Sequence, residues 1–148
     1  MMMKDLLGEV GVLFSYPKNL ILLGVRWILA YGFAMPALLK LNDMNETAKW
    51  FDTMSIPFPL LSSYFVSGIE AIGIVLLILG LFTRYVAVLL SFVMIGAIFY
   101  VHIGHGFSVA DNGIEIPLYY LLFLMNLASF GAGKYSLDRV IFKDGCNE

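Results

Sequence analysis

The stretch LLSSYFVSGIEAIGIVLLIL, residues 60–79, decides the fold class of this chain. Its only charged residue is Glu70, and its length matches the ~20 apolar residues with which an α-helix crosses ~30 Å of hydrocarbon. Similar runs occupy residues 20–39, 85–103 and 114–130, the last at the short limit. The sequence therefore predicts an all-α integral membrane four-helix bundle, a single domain over residues 1–148 with short interfacial helices.

The composition agrees with a chain that lies mostly in the bilayer. Hydrophobic residues make up 60% of the sequence and charged residues 14%, whereas about a quarter of the residues in soluble domains are charged. The sequence has no basic stripe and no glycine-rich phosphate loop, which argues against nucleic-acid and nucleotide binding. The single cysteine, Cys146, cannot form an internal disulfide, so any electron transfer needs a bound cofactor, a quinone or a partner rather than a dithiol.

Short amphipathic stretches accompany the four runs. Residues 45–55 and 136–142 predict two short helices at the membrane surface, the second capped by Ser136. Thr83 is predicted to be the N-cap of the third span. Apolar residues of the segment 1–16 have helical spacing and predict a further element lying on the bilayer.

Basic residues that flank the runs predict the orientation of the chain. One side carries Lys40 and Lys49. The other side carries six basic residues, namely Lys4, Lys18, Arg84, Lys134, Arg139 and Lys143. We therefore expect a multi-pass protein of a bacterial-type cytoplasmic (inner) membrane, with both termini in the cytoplasm.

Arg26 and Glu70 are the charged residues that lie well inside the predicted spans, whereas Glu115 lies at the very start of the fourth. A charge in the bilayer costs about 2.5–3.5 kcal/mol on insertion scales, so each is a functional-site candidate by default. Because the first two spans run antiparallel, the two residues lie at similar depths. The sequence predicts a buried Arg26–Glu70 pair, and the alternative is an Arg26 side chain that extends to the cytoplasmic surface.

Further polar residues lie near the outer ends of the spans. Lys40 ends the first span, where a cation also suits the helix dipole. His102 and His105 are three residues apart, as in some metal sites, but no cysteine and few carboxylates accompany them, so no metal is expected. The segment from Asn112 to Glu115 has the form of a capping box, in which Asn112 accepts from the Glu115 N–H; a role in a site remains open beside this structural one.

Together these residues predict a polar cavity that opens outwards, with aromatic walls from Tyr100, Tyr119 or Trp50. A histidine and a carboxylate at such a mouth suit proton transfer to a quinone. The catalytic candidates are His102, Glu115 and Glu70, and the cofactor-binding candidates are Lys40, Arg26, His105 and Asn112.

At these residues the chain resembles the DoxX family of small four-helix membrane proteins. The resemblance covers roughly residues 20–140 and rests on an ordered set of weak motifs. These are Arg26 and Lys40, Ser55-Ile56-Pro57-Phe58-Pro59, Glu70-Ala71-Ile72-Gly73, Gly80-Leu81-Phe82-Thr83-Arg84, His102, Asn112-Gly113-x-Glu115 and Gly131-x-Gly133-Lys134-Tyr135-Ser136-Leu137-Asp138-Arg139.

The resemblance implies a four-helix bundle and a link to quinone-coupled redox chemistry. One branch of the family resembles the membrane subunit of thiosulfate:quinone oxidoreductase, and other members are associated with oxidative-stress or redox partners. The expected function is therefore a membrane subunit of a quinone-linked redox system that contacts the lipid bilayer and a soluble or membrane redox partner. A non-catalytic anchor or assembly module, and a small-molecule or metal binder, are the alternatives; a homo-oligomer stays open.

Overall fold

The computed structural model describes residues 17–142, whose regular structure is helical, without strands. Six α-helices follow one another in this part of the chain: α1 (Lys18–Asn42), α2 (Met44–Thr53), α3 (Pro59–Leu79), α4 (Thr83–Ala97), α5 (Glu115–Phe130) and α6 (Leu137–Phe142). A π-helical turn, Ile98–His102, and a 3-10 turn, Ile103–His105, extend α4, and the 3-10 turn Val109–Asp111 precedes α5. The expected element at residues 1–16, and Cys146, lie outside the described residues.

Between residues 17 and 142, three helices are long and apolar enough to cross a membrane. They are α1 with 25 residues, α3 with 21, and α4 with its extension to His105, together 23. α5 is also apolar but has 16 residues, or ~24 Å at 1.5 Å per residue. The predicted all-α membrane bundle is confirmed, while the number of helices that cross stays a prediction.

The core of the bundle contains large apolar side chains from α1, α3, α4 and α5, which we call the four long helices. α1 packs on α3, α3 on α4, and α4 on α5. Leu29, Leu77, Leu90 and Leu124 are fully buried there. Since lipid chains are as apolar as leucine, close packing holds such helices together. Gly73 illustrates this, because a Cβ at that position would lie only 3.1 Å from the Leu90 side chain.

Arg26 joins three segments at the end of the bundle where α1 begins, which we call the Lys18 end. Its Nε donates to the carbonyl of Leu77 (3.0 Å) and its Nη2 to that of Ile78 (3.3 Å), both in the last turn of α3. Its Nη1 donates to the carbonyls of Ala132 (2.8 Å) and Tyr135 (2.9 Å), which follow α5. Arg26 therefore satisfies carbonyls that a helix end leaves without donors and ties α1 to two other segments.

The predicted Arg26–Glu70 pair is wrong, and so is the alternative of an Arg26 side chain at the surface. Arg26 is 1% exposed, and its guanidinium bonds to carbonyl oxygens rather than to a carboxylate. A planar set of donors suits several carbonyls at once, and the C-terminus of α3 favours a cation.

Asp138, just inside α6, caps α4 from a distant part of the sequence. Its two carboxylate oxygens accept from the backbone N–H groups of Phe82 (2.6 Å) and Thr83 (2.9 Å), and its own N–H donates to the carbonyl of Gly80 (2.9 Å). Thr83 is thus the first residue of α4 rather than its cap, which corrects the sequence prediction. The predicted cap of α6 agrees with the structure, because Ser136 Oγ accepts from the Arg139 N–H at 3.4 Å.

α5 and the residues after it run from one end of the bundle to the other. After α5, the Lys134 N–H donates to Asn19 Oδ1 (2.9 Å) at the Lys18 end. α5 begins at Glu115, beside the 3-10 turn at the opposite end, which we call the Asn42 end. This path places the short α5 as the fourth member of the bundle.

Candidate functional site

A cavity of about 570 Å³ lies among the four long helices towards the Asn42 end. This volume is within the ~300–1,000 Å³ of small-molecule sites, which are mostly apolar with a few polar groups. Polar side chains on its wall include Lys40, Glu70 and His102. Its aromatic wall is formed by Phe33, Trp50, Phe51, Phe92, Tyr100 and Tyr120.

Residues 44–58 contribute to the cavity wall at the Asn42 end. Within α2, Phe51 is buried and Trp50 half-exposed, and both line the cavity together with Pro57. Thr47 Oγ1 donates a hydrogen bond that is shared between the carbonyls of Asp43 (2.9 Å) and Lys40 (3.1 Å), and so joins α2 to the end of α1. The predicted surface helix therefore exists, but its aromatic side faces the cavity as well as the bilayer.

Lys40 and Glu70 form a buried ion pair on the cavity wall. Lys40 Nζ lies 2.6 Å from Oε1 and 2.7 Å from Oε2 of Glu70, and the two side chains are 18% and 2% exposed. The two carboxylate oxygens of Glu70 accept two of the three N–H groups of the Lys40 ammonium, so one N–H group remains for another acceptor. The side chain that partners Glu70 is therefore Lys40, at the end of α1, and not Arg26.

His102 ends the π-helical turn that extends α4. π-Helical turns are rare, and those that do occur often lie at functional sites. Nδ1 of His102 lies 2.7 Å from the backbone oxygen of Asn112. Because a carbonyl oxygen only accepts, Nδ1 carries the proton, and in the neutral ring Nε2 is left with a lone pair. Within residues 17–142, Nε2 makes no hydrogen bond, so it is available to a ligand.

Glu115 and Asn112 do not form the predicted capping box. Glu115 Oε2 accepts from the Val109 N–H (3.0 Å) and Oε1 from Tyr119 Oη (3.3 Å), while the Glu115 N–H donates to the carbonyl of Phe107 (3.0 Å). Asn112 instead takes the left-handed conformation, φ 60°, that ends the 3-10 turn. The carboxylate therefore caps the 3-10 turn rather than α5.

The structure brings together some of the candidates and separates others. Four line the cavity, namely Lys40, Glu70, His102 and Asn112. Three do not line it, namely Arg26, His105 and Glu115. Arg26 belongs to the Lys18 end, ~21 Å from Lys40 along α1 at 1.5 Å per residue. Among residues 17–142, no three histidine, cysteine or carboxylate side chains are grouped to hold a metal.

Tyr120 is a wall residue that the sequence prediction missed in favour of its neighbour Tyr119. The signal for it lies in the spacing of α5, since Tyr120 falls in the same stripe as Pro117, Leu124 and Leu127, which are buried. This spacing of three and four residues marks one helix face. Two adjacent tyrosines look equivalent until the buried face of the helix has been identified.

Comparison with known protein families identifies the family of this chain. The family model DoxX matches residues 21–103, more than half of the 148 residues. The chain belongs to the DoxX family. The matched region contains the Lys40–Glu70 pair, Arg26 and His102, whereas the part of the cavity wall that comes from residues 109–120 lies outside it.

Several curated proteins are similar to this DoxX chain. One from Haemophilus influenzae, described as "Uncharacterized protein", is 37% identical over 126 residues, which cover 82% of this chain and 83% of that protein. A second from the same organism, with the same description, is 44% identical over 78 residues, covering 51% and 58%. A Bacillus subtilis protein described as "Putative oxidoreductase CatD" is 34% identical over 119 residues, covering 80% and 85%. No solved structure matches the chain.

Proposed function

We propose that this DoxX protein is the membrane subunit of a quinone-linked redox system and that the quinone binds in the cavity at the Asn42 end. The observation that carries the proposal is an apolar cavity with a buried Lys40–Glu70 pair on its wall. Charged groups at membrane depth are expensive and mark functional sites. The printed description of the Bacillus subtilis relative as an oxidoreductase supports the redox part.

The residues of the cavity fit a quinone. A quinone ring needs apolar, flat neighbours, which Phe33, Trp50 and Tyr100 provide on the wall. Its oxygens need donors, and Lys40 keeps one N–H beyond the two that it gives to Glu70. Exposed apolar residues such as Phe92, 66% exposed, also line the cavity, which supports an opening at the side of the bundle through which a quinone would enter from lipid.

Each polar side chain then has a distinct task. A bound quinone would take up two electrons and two protons. The electrons would be delivered by a soluble or membrane redox partner protein. Lys40 donates a hydrogen bond to an oxygen of the ring. Glu70 holds the Lys40 ammonium in position through both carboxylate oxygens. His102, whose ring is fixed by the bond from Nδ1 to the Asn112 carbonyl, would take up a proton from water at Nε2 and pass it to the quinone ring, once for each of the two protons.

Trp50 offers a direct test of binding. The chain has two tryptophans, of which Trp50 lines the cavity and Trp27 does not. In the purified Trp27→Phe variant, titration with a ubiquinone bearing one isoprene unit should quench the fluorescence of Trp50 with a saturable curve. The double variant Lys40→Met/Glu70→Leu removes the donor without leaving a lone charge, and its Kd should be about ten-fold higher, the size of a lost hydrogen bond from a charged group.

The matched control is Trp50→Phe, in which only Trp27 remains. Trp27 is 57% exposed and lies outside the cavity, so its quenching should rise linearly with the quinone and not saturate. Linear quenching in both variants would contradict the quinone site and favour the anchor or assembly role. Saturable quenching that the double variant leaves unchanged would place the quinone away from Lys40.

A further inference from the structure

Tyr120 extends from α5 across the cavity to α1. Its ring packs against Phe33, with 5.5 Å between the ring centroids. A Cβ at Gly32 would overlap the Tyr120 hydroxyl, so the hydroxyl lies directly against the backbone of α1 at a position where only glycine leaves room. Gly32 and Tyr120 both line the cavity.

The carbonyl of Gly32 is an unusual acceptor because of Pro36. In an α-helix this carbonyl would receive the N–H of the residue four positions later. That residue is Pro36, inside α1, and proline has no N–H. The carbonyl therefore lacks its regular helical donor at the point where Gly32 lines the cavity.

The Tyr120 hydroxyl is also unused by the protein. Among residues 17–142 it makes no hydrogen bond, and the Tyr120 side chain is only partly buried, so the hydroxyl is open to a ligand in the cavity. A hydroxyl with no protein partner and a carbonyl without its helical donor thus occur at the same place on the cavity wall.

The Tyr120 hydroxyl and the Gly32 carbonyl lie at about the same depth in the bundle as Glu70. Gly32 is ten residues from Asn42, the end of α1, and Glu70 is eleven residues from Pro59, the start of α3. At 1.5 Å per residue both lie ~15–17 Å from the Asn42 end. The hydroxyl and the carbonyl therefore belong to the floor of the cavity, whereas His102 and Asn112 lie near its mouth.

We propose that Tyr120 Oη and the Gly32 carbonyl form a second polar subsite, which binds the ring oxygen at the inner edge of the ligand. This inference rests on the proposed function and specifies the ligand class as a ring compound whose oxygen alternates between carbonyl and hydroxyl. The tyrosine hydroxyl donates to a carbonyl oxygen, as in a quinone. The Gly32 carbonyl accepts from a hydroxyl, as in a quinol. A donor beside an acceptor lets one subsite hold both forms.

The experiment uses the Trp27→Phe protein and the ubiquinone with one isoprene unit, in oxidised and reduced form. Tyr120→Phe removes only the hydroxyl and should weaken the binding of the oxidised form about five-fold, the effect of one neutral hydrogen bond. The reduced form should lose less affinity, because the Gly32 carbonyl still accepts from its hydroxyl. The melting temperature of Tyr120→Phe should not fall, because the tyrosine hydroxyl has no protein partner to lose. Gly32→Ala should displace the tyrosine ring into the cavity and weaken binding more strongly.

Gly24→Ala is the matched control on the same helix, since a Cβ there would meet nothing within 4 Å; it should bind the quinone like the parent. If the parent binds saturably but Tyr120→Phe binds equally well, the subsite is wrong while the proposed function stands. A lower melting temperature for Tyr120→Phe would show that the hydroxyl stabilises the protein and would also overturn the subsite. If the parent shows no saturable quenching, the proposed function fails and the subsite fails with it.

Discussion

At the scale of single residues, the two buried cations of α1 find different kinds of partner. Arg26 donates four of its five N–H groups to carbonyl oxygens at the Lys18 end, which a planar guanidinium can reach together. Lys40 is a compact charge and pairs with one carboxylate, Glu70. The first arrangement uses the whole side chain for structure, whereas the second leaves a donor for a ligand.

The Lys40–Glu70 pair should show strong coupling in stability. Lys40→Met leaves Glu70 buried without a partner, and Glu70→Leu does the same to Lys40, so each single change should destabilise the protein by about 3–5 kcal/mol. The double variant buries no lone charge and should lose less than either single variant. Thermal or denaturant unfolding in detergent measures the stability of the parent, the two single variants and the double variant.

The surface pair Lys49–Glu46 serves as the control for this cycle. Its side chains are 73% and 68% exposed, and its N–O distance is 2.9 Å. Exposed pairs contribute about 0–1 kcal/mol, so Lys49→Met and Glu46→Leu should have little effect alone or together. Losses that simply add for Lys40 and Glu70 would contradict the buried pair.

At the scale of elements, the turn between α3 and α4 depends on groups from elsewhere in the chain. Gly80 ends α3 in the left-handed conformation, φ 68°, and Asp138 then holds the first N–H groups of α4. Arg26 lies directly against the turn, because a Cβ at Gly80 would be 2.6 Å from its Nη1. The turn can therefore form in this shape only with a residue that lacks a side chain.

Gly80→Ala should consequently destabilise the bundle. The left-handed conformation costs a residue with a Cβ about 1–2 kcal/mol, and the displaced Arg26 loses hydrogen bonds as well, so a total loss on the order of 3 kcal/mol is expected. The melting temperature of the purified variant measures this loss. Gly68→Ala on the same helix is the control, since a Cβ at Gly68 would meet nothing within 4 Å; equal melting temperatures for the two variants would contradict the role of Gly80.

Sequence reasoning worked best where the evidence was local. The run at residues 60–79 predicted α3 to within a residue, because apolar length and a final glycine are features of the segment itself. The partners of Arg26 and of the α4 N-terminus could not be predicted in the same way, since Asp138 lies 55 residues from Thr83 in sequence. For the cavity, Glu70 was found as a charge inside a predicted span and Lys40 as a charge at the end of one, but Gly32 and Tyr120 carry no charge to mark them.

At the scale of the whole molecule, the path of α5 bears on the topology. The chain after α5 returns to the N-terminal part of α1, through the bond between Lys134 and Asn19. If all four long helices cross the bilayer, the segments before α1 and after α5 lie on the same side. The excess of basic residues near the Lys18 end predicts that this side is the cytoplasm.

Cysteine labelling in intact cells tests this topology. Cys146 is the only cysteine, so the parent chain should not react with a membrane-impermeant maleimide until the cells are opened. In a Cys146→Ser background, Lys49→Cys should react from outside, because Lys49 is 73% exposed on α2 at the Asn42 end. External labelling of Cys146 would contradict four crossings or the predicted orientation.

The contacts of Arg26 also set an order for the making of the protein. The ribosome releases α1 long before the carbonyls that satisfy it exist, since Leu77 is 51 residues away and Tyr135 is 109. During synthesis the guanidinium must therefore remain in contact with water, lipid headgroups or the insertion machinery until α3 arrives, and its last partners come only after α5. A nascent chain that stops before Ala132 would leave the Nη1 group of Arg26 without its two carbonyl acceptors, so the bundle becomes fully satisfied only when its last segment has been made.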